Sequence, residues 1–145
     1  MANKGLIQHL DVDIEHKALT LLACVAQESK VAMERLIQST GVPLSLLQLN
    51  ILHALDMSPE GQLTVNQLKA VMLDETPNVS RTLNKLVDLG LVTKNRSSED
   101  QRVVFVAITE AGKKVHHDAD QALLGYKSPL NEKESQQLLD LLSKF

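Results

Sequence analysis

The 145-residue sequence contains a single cysteine, Cys24, and no tryptophan. One cysteine excludes a disulfide framework within the chain and a metal site built from several thiolates. The aromatic residues are Phe105, Tyr126 and Phe145. So few aromatic side chains argue against a module that binds single strands of nucleic acid by stacking bases.

Long uncharged apolar runs are also missing, so no segment is expected to span a membrane. The short apolar stretch near the start is soon interrupted by Asp11 and Asp13, which does not match a secretory signal peptide. We therefore expect a cytoplasmic protein of bacterial type with no membrane partner. The length suits one domain with a substantial hydrophobic core.

Motifs for catalysis are missing too. The sequence has no nucleophile elbow, no glycine-rich phosphate loop and no paired-carboxylate cluster, so we expect neither an enzyme nor a cofactor. His116 and Asp120, four residues apart on one helical face, invite a metal hypothesis, as does the His9–His16 segment. Neither has a recognised ligand spacing, and we predict no metal site. Cys24 has Glu28 as its i+4 neighbour, which favours packing over a thiol switch.

The formal net charge is −3, but positive charge is concentrated in one segment. Thr76–Arg102 contains five basic and three acidic residues, a net charge of +2. The rest of the chain contains ten basic and fifteen acidic residues, a net charge of −5. A local basic patch can bind phosphates while the remaining surface stays acidic. Together with the scarcity of aromatic residues, this favours double-stranded nucleic acid as the partner.

Hydrophobic periodicity and capping residues predict most of the helices. Apolar residues at three- and four-residue steps predict a long helix over Val12–Gln38. Ser45 begins a second helix with capping-box spacing, and Thr64 caps a short third one. Thr76–Pro77 is a strong start for a helix that ends at Gly90, where glycine suits a left-handed conformation.

After Gly90 the spacing of the apolar residues no longer follows the helical period. Leu91–Thr93 and Val103–Ile108 are rich in β-branched residues and predict a two-stranded hairpin with a charged tip. Thr109 caps a helix reaching about Leu124, and a final helix follows. The predicted fold class is therefore mainly α with a small β-hairpin wing: a winged helix-turn-helix plus a helical dimerisation region. The expected divisions are residues 1–42 and 111–145 for dimerisation and residues 43–110 for DNA binding.

The helix before the wing has two different faces on a helical wheel. The apolar face consists of Val79, Leu83, Leu86 and Val87. The polar face carries residue types that read major-groove edges or grip phosphates: Asn78, Ser80, Arg81, Asn84 and Lys85. We predict that this polar face contacts DNA.

The hairpin adds three more basic residues, Lys94, Arg96 and Arg102. An arginine on a thin β-ribbon can enter the minor groove, where the potential is most negative. Asp100 is not expected to contact DNA, because a carboxylate near phosphates is unfavourable. We expect it instead to accept hydrogen bonds within the wing and to hold an arginine in position.

The ordered set of motifs resembles the MarR (multiple antibiotic resistance regulator) family. Leu44–Leu52 is similar to the second helix of that family, and Val79–Val92 to its recognition helix and the turn into the wing. Asp100-Gln101-Arg102 is similar to the wing signature Asp-x-Arg, and Ile108–Gly112 to the segment that follows. The resemblance implies major-groove contacts for Ser80, Arg81, Asn84 and Lys85, a minor-groove contact for Arg102, and a dimer interface in the terminal helices. It also implies a small phenolic or amphipathic effector.

Our hypothesis is a transcriptional regulator, a repressor, that binds a palindromic operator as a homodimer and is released by a small-molecule effector. Its two recognition helices would occupy successive major grooves, about one helical turn apart. Two alternatives stay open. One is a winged-helix interaction module without DNA binding, favoured by the acidic net charge and by Gln101, where a second arginine is common. The other is a metal or ligand sensor of the same fold that responds through His116 and Asp120.

Overall fold

The computed structural model describes residues 9–42, 44–72 and 78–145, together with Gly5 and Ile7. In these residues the chain forms six helices and a small three-stranded sheet. In chain order the elements are α1 (Ile14–Gln38), α2 (Leu46–Asp56), β1 (Gln62–Thr64), α3 (Val65–Val71), α4 (Asn78–Asp88), β2 (Val92–Arg96), β3 (Val104–Ile108), α5 (Glu110–Leu123) and α6 (Glu132–Leu142). None of the described helices is long and apolar enough to cross a membrane.

The helices begin where capping residues satisfy their free backbone N–H groups. Ser45 and Thr64 each form the predicted cap, completed into a capping box by the glutamine three residues later. Thr109 caps α5 as predicted, by accepting a hydrogen bond from the Gly112 N–H at 3.0 Å. The long helix begins at Ile14 rather than Val12, because the Asp13 carboxylate caps it. The predicted helix start at 76–77 lies outside the described residues.

The predicted hairpin is confirmed as the antiparallel pair of β2 and β3. A third antiparallel strand, β1, which the sequence did not predict, extends the sheet to the order β1-β3-β2. β1 pairs Leu63 with Val106 on the free edge of β3. A three-residue strand is too short to show an alternating pattern, and this one forms because β3 offers it backbone partners. β2 also extends further than predicted, to Arg96, which pairs with Val104.

One contiguous core joins the helices to the sheet. On α2, Leu49, Leu52 and Leu55 face inward as the leucine spacing indicates, and α3 contributes Leu68. From the terminal helices, Ile37 of α1 and Ala119 of α5 enter the same core. α1 and α5 are therefore packed directly onto the winged part.

The apolar side of α4 is narrower than predicted. Val79, Leu83 and Leu86 are fully buried, whereas Val87 is 37% exposed. Assigning Val87 to the inward face was therefore wrong. It follows Leu86 by about 100° of helix rotation, which takes it past the edge of the surface that α4 packs against.

The start of α5 lies very close to the backbone that leads into β2. The Thr109 hydroxyl donates to the carbonyl oxygens of Gly90 at 2.8 Å and Leu91 at 3.1 Å. A Cβ atom added at Gly112 would lie 2.2 Å from the Leu91 carbonyl oxygen and 2.8 Å from Ile108 Cγ1. Because the obstacle is backbone rather than a flexible side chain, this approach requires glycine.

We expect Gly112→Ala to lower the free energy of unfolding by about 1–3 kcal/mol, because α5 or the Leu91 backbone must move to admit the methyl group. Urea denaturation followed by circular dichroism measures the change. Ala111→Ser, at the exposed neighbouring position, is the control and should change stability by less than about 0.5 kcal/mol. Equal stability of Gly112→Ala and the wild type would contradict the close approach.

Candidate nucleic-acid interface

The candidate interface begins with the solvent-facing side of α4. Ser80, Arg81, Asn84 and Lys85 are all exposed on this side. Opposite them lie the buried Val79, Leu83 and Leu86. Since the apolar side is held in the core, the helix cannot rotate to hide its polar side. The structure thus presents hydrogen-bond donors and acceptors on a rigid element.

The turn from α4 into the wing is set by Gly90, which has a φ angle of 69°. Its N–H donates to the Val87 carbonyl at 2.9 Å, and the Leu91 N–H donates to the Leu86 carbonyl at 3.0 Å. These bonds satisfy the last free carbonyl groups of the helix, and the left-handed conformation reverses the chain. β2 therefore begins directly beside the end of α4.

A side-chain hydrogen bond then connects the wing to α4. The Lys94 ammonium on β2 donates to Asn84 Oδ1 on α4 at 2.6 Å. Both side chains are exposed, and both were predicted from the sequence to contact DNA. The contact places a positive charge at the junction between helix and wing. It also limits the rotamers of Asn84, because one end of its amide is occupied.

The wing tip is organised by hydrogen bonds to the backbone. The Asp100 carboxylate accepts from the Arg102 backbone N–H at 2.9 Å, and the Ser97 hydroxyl accepts from the Asp100 N–H at 3.3 Å. The Val103 N–H donates to the Asp100 carbonyl at 2.9 Å, which closes the turn. This is a compact Asx-type turn that fixes the backbone at Arg102.

The remaining predicted contact residues lie on the same part of the molecule. Arg96 ends β2, and Arg102 lies in the turn before β3; both are exposed. Asn78 is the first residue of α4, and only its backbone is described. The structure therefore brings Lys94 and Asn84 into contact and leaves Arg96 and Arg102 open to solvent on the wing.

The sequence profile of the MarR family matches residues 20–103, which is more than half of the chain. The chain belongs to the MarR family. The match runs from within α1 through α2, α3 and α4 to the end of the wing tip, so it includes the exposed side of α4 and the basic residues of the wing.

Solved structures show the same fold. Sco5413, a MarR family transcriptional regulator from Streptomyces coelicolor, is 20% identical over 90% of this chain and 91% of its own, with a TM-score of 0.80. A MarR mutant from E. coli complexed with operator DNA is also 20% identical, over 92% of this chain and 98% of its own, with a TM-score of 0.77. The organohalide-sensing transcriptional regulator RdhR, in its 2,4-dichlorophenol-bound form, is 20% identical over 92% of this chain and 80% of its own, with a TM-score of 0.80. The winged helix-turn-helix fold of this MarR-family protein is thereby established.

Asp100→Ala is expected to loosen the wing tip without unfolding the protein. Removing the carboxylate frees the Arg102 N–H, and losing one such bond costs about 1 kcal/mol of local stability. Amide exchange at Arg102, measured by NMR, should then accelerate roughly fivefold, while overall stability changes by less than about 0.5 kcal/mol. Glu99→Ala, at the preceding exposed position, is the control and should leave that exchange rate unchanged. Unchanged exchange in Asp100→Ala would show that its carboxylate does not organise the turn.

Proposed function

We propose that this MarR-family protein is a homodimeric transcriptional regulator that binds a palindromic operator in double-stranded DNA by sequence. The observation that carries the proposal is the two-sided nature of α4. Its apolar side is fully buried at three positions, and its polar side offers an arginine, an asparagine and a lysine beside a basic wing. An ordinary surface helix also has two sides, so the basic wing directly beside the polar side is what favours a helix seated in a major groove.

In the proposed complex, the polar side of α4 contacts the major groove. Arg81 suits a guanine edge and Asn84 an adenine edge, while Ser80, Lys85 and the backbone at Asn78 suit phosphates. Lys94 already binds Asn84, so it would orient the Asn84 amide and contribute a positive charge next to the backbone of the duplex.

The wing would contact the DNA beside the major groove. Arg102 is exposed on a turn whose backbone is fixed by Asp100, so its side chain can enter the minor groove without first ordering the loop. Arg96, at the end of β2, would grip the phosphates that border it. Asp100 itself would stay off the DNA and act by holding the turn.

A second copy of the chain is the proposed partner of the terminal helices. α6 has no buried residue, and its four leucines, Leu138, Leu139, Leu141 and Leu142, are all at least 41% exposed. With Leu19 and Leu22 of α1 and the terminal Phe145, three of them line an apolar groove. An apolar surface of this kind marks an interface, and a two-fold dimer covers it with its own equivalent. Residues 1–42 and 111–145 would then form the dimerisation region, and residues 43–110 the DNA-binding part.

Release by a small phenolic or amphipathic effector is the proposed regulation, with repression as the resting activity. The RdhR structure was solved with 2,4-dichlorophenol bound, which supports an effector of that size. In the present chain a cleft between α1, α2 and α4 is lined by Glu34, Gln48, Thr82 and Lys85, among others. A ligand there would contact both the recognition helix and the long helix of the dimer. It would shift the population of dimers only by binding one arrangement better than the other.

DNA binding is tested by fluorescence anisotropy with the intergenic duplex upstream of the gene and a scrambled duplex. We expect a preference of about a thousandfold or more for the upstream duplex, and affinity that falls steeply with salt. Arg81→Ala and Arg102→Ala should each weaken the binding free energy by about 1–3 kcal/mol. Lys85→Ala should reduce the slope of the logarithm of the binding constant against the logarithm of the salt concentration by about one.

Lys133→Ala, at an exposed position on α6, is the matched control and should bind like the wild type. If wild type and variants bind both duplexes equally weakly, selection of bound fragments from the whole genome follows. Recovery of no specific fragment would overturn the proposal and favour the interaction module without DNA binding.

The dimer is tested by sedimentation equilibrium, which should give twice the chain mass of 16.0 kDa. The double variant Leu138→Glu/Leu141→Glu places two charges in the apolar groove and should yield folded monomers, because burying unpaired carboxylates is unfavourable. Gln137→Glu, an exposed neighbour on α6, adds a charge outside the groove and should stay dimeric. A dimeric double variant would place the interface elsewhere.

A further inference from the structure

A buried histidine joins α5 to α2 through a polar cluster. The side chain of His116 is only 4% exposed. Its Nδ1 lies 2.8 Å from Asp56 Oδ2, and its Nε2 lies 3.0 Å from His53 Nδ1 and 3.1 Å from Asp120 Oδ2. Within the described residues this is the one place where three histidine, cysteine or carboxylate side chains bring ligand atoms together.

The hydrogen bond to Asp56 gives the two ring nitrogens of His116 different roles. A carboxylate accepts hydrogen bonds, so Asp56 favours the proton on Nδ1. The lone pair of Nε2 then faces His53 Nδ1 and the carboxylate of Asp120. Three groups that can each donate an electron pair thus converge on one point. His53 Nδ1 can donate a hydrogen bond to this lone pair, but an ionised Asp120 carboxylate at 3.1 Å then faces the same lone pair with no hydrogen between them. A metal ion bound by all three groups would remove that repulsion.

The geometry of the three atoms suits a metal ion. All three lie within 4.8 Å of one another. Bonds of about 2.0–2.1 Å in tetrahedral geometry would separate ligand atoms by roughly 3.3 Å. The two separations from His116 Nε2, 3.0 and 3.1 Å, each differ from this value by only a few tenths of an ångström, and the third, from His53 Nδ1 to the Asp120 carboxylate, is within 4.8 Å. His116 and Asp120 are four residues apart on one face of α5, a spacing that lets two side chains bind one ion.

We propose that His53, His116 and Asp120 form a binding site for a divalent transition metal ion, with Zn²⁺ as the best-suited ion. Two imidazoles and one carboxylate are the ligands that Zn²⁺ accepts, and Mg²⁺ or Ca²⁺ would require oxygen ligands instead. Because His53 is exposed and Asp120 is 44% exposed, an ion can enter and a water molecule can complete four-coordination. Asp56 is the outer carboxylate that orients His116, the usual partner of a metal-binding histidine.

This site departs from the expectation drawn from the sequence, which predicted no metal site. His116 and Asp120 were recognised as a pair, but their third ligand lies 63 residues away from His116 in the chain. Only the packing of α2 against α5 brings His53 to them. The ion would link a helix of the winged part to a helix of the proposed dimerisation region. Metal binding itself does not rest on the proposed DNA binding, and its test uses no DNA.

The test is titration of the metal-free full-length protein, at one fixed pH, with Zn²⁺ in competition with a chromophoric chelator. We expect one Zn²⁺ per chain, and with Co²⁺ the visible absorption bands of a four-coordinate site. Asp56→Asn should weaken binding by about 10–100-fold, the usual effect of losing an orienting carboxylate. His53→Gln and Asp120→Asn, which remove exposed ligands, should weaken it by more than Asp56→Asn does and abolish the Co²⁺ bands.

His117→Gln and His16→Gln are the matched controls, since both histidines are exposed and neither belongs to the cluster. They should bind Zn²⁺ like the wild type, and Mg²⁺ should not compete. Zn²⁺ should also raise the Tm of the wild type but not that of folded His53→Gln. Absence of stoichiometric Zn²⁺ binding would overturn the proposal and leave His116 as a hydrogen-bonded link between α5 and α2. Binding that survives in His53→Gln and Asp120→Asn would overturn it equally.

Discussion

The packing of Val79, Leu83 and Leu86 into the core is the contact on which the rest of the candidate interface depends. All three are fully buried, and burial of side chains of this size contributes about 1.5–3 kcal/mol each. α4 packs against α2 and β2 through them. Because a helix that buries one side must present the other, the same contact that stabilises the winged part also exposes Arg81 and Lys85 to solvent.

A second constraint acts where α4, β2 and α5 meet. Gly90 reverses the chain with a positive φ angle, and Thr109 holds the Gly90 and Leu91 carbonyl groups. Gly112 allows α5 to approach the Leu91 backbone without a clash. The wing and the first turn of α5 are thus fixed to the same two residues, Gly90 and Leu91, which follow α4.

The terminal helices differ in how much apolar surface they bury within the single chain. Ile37 of α1 and Ala119 of α5 complete the core of the winged part, while Tyr126 donates to Ser29 at 3.0 Å and ties the end of α5 to α1. α6 buries none of its leucines in the single chain. The acidic charge lies mainly outside the α4 and wing segment. The molecule accordingly separates a basic polar surface near α4 from an apolar one on α6, each suited to a different partner.

The features determined by the sequence alone are those whose cause lies within about four residues: the capping boxes at Ser45 and Thr64, the two faces of α4 and the turn at Gly90. The tertiary structure decided what depends on a distant partner. β1 exists because β3 offers it an edge, and Val87 is exposed because α4 packs on a narrow side. Lys94 meets Asn84, and His53 meets His116, only once strand and helices are assembled. Helix periodicity and capping are local and leave a pattern in the chain, whereas contacts between elements leave none that one sequence can reveal.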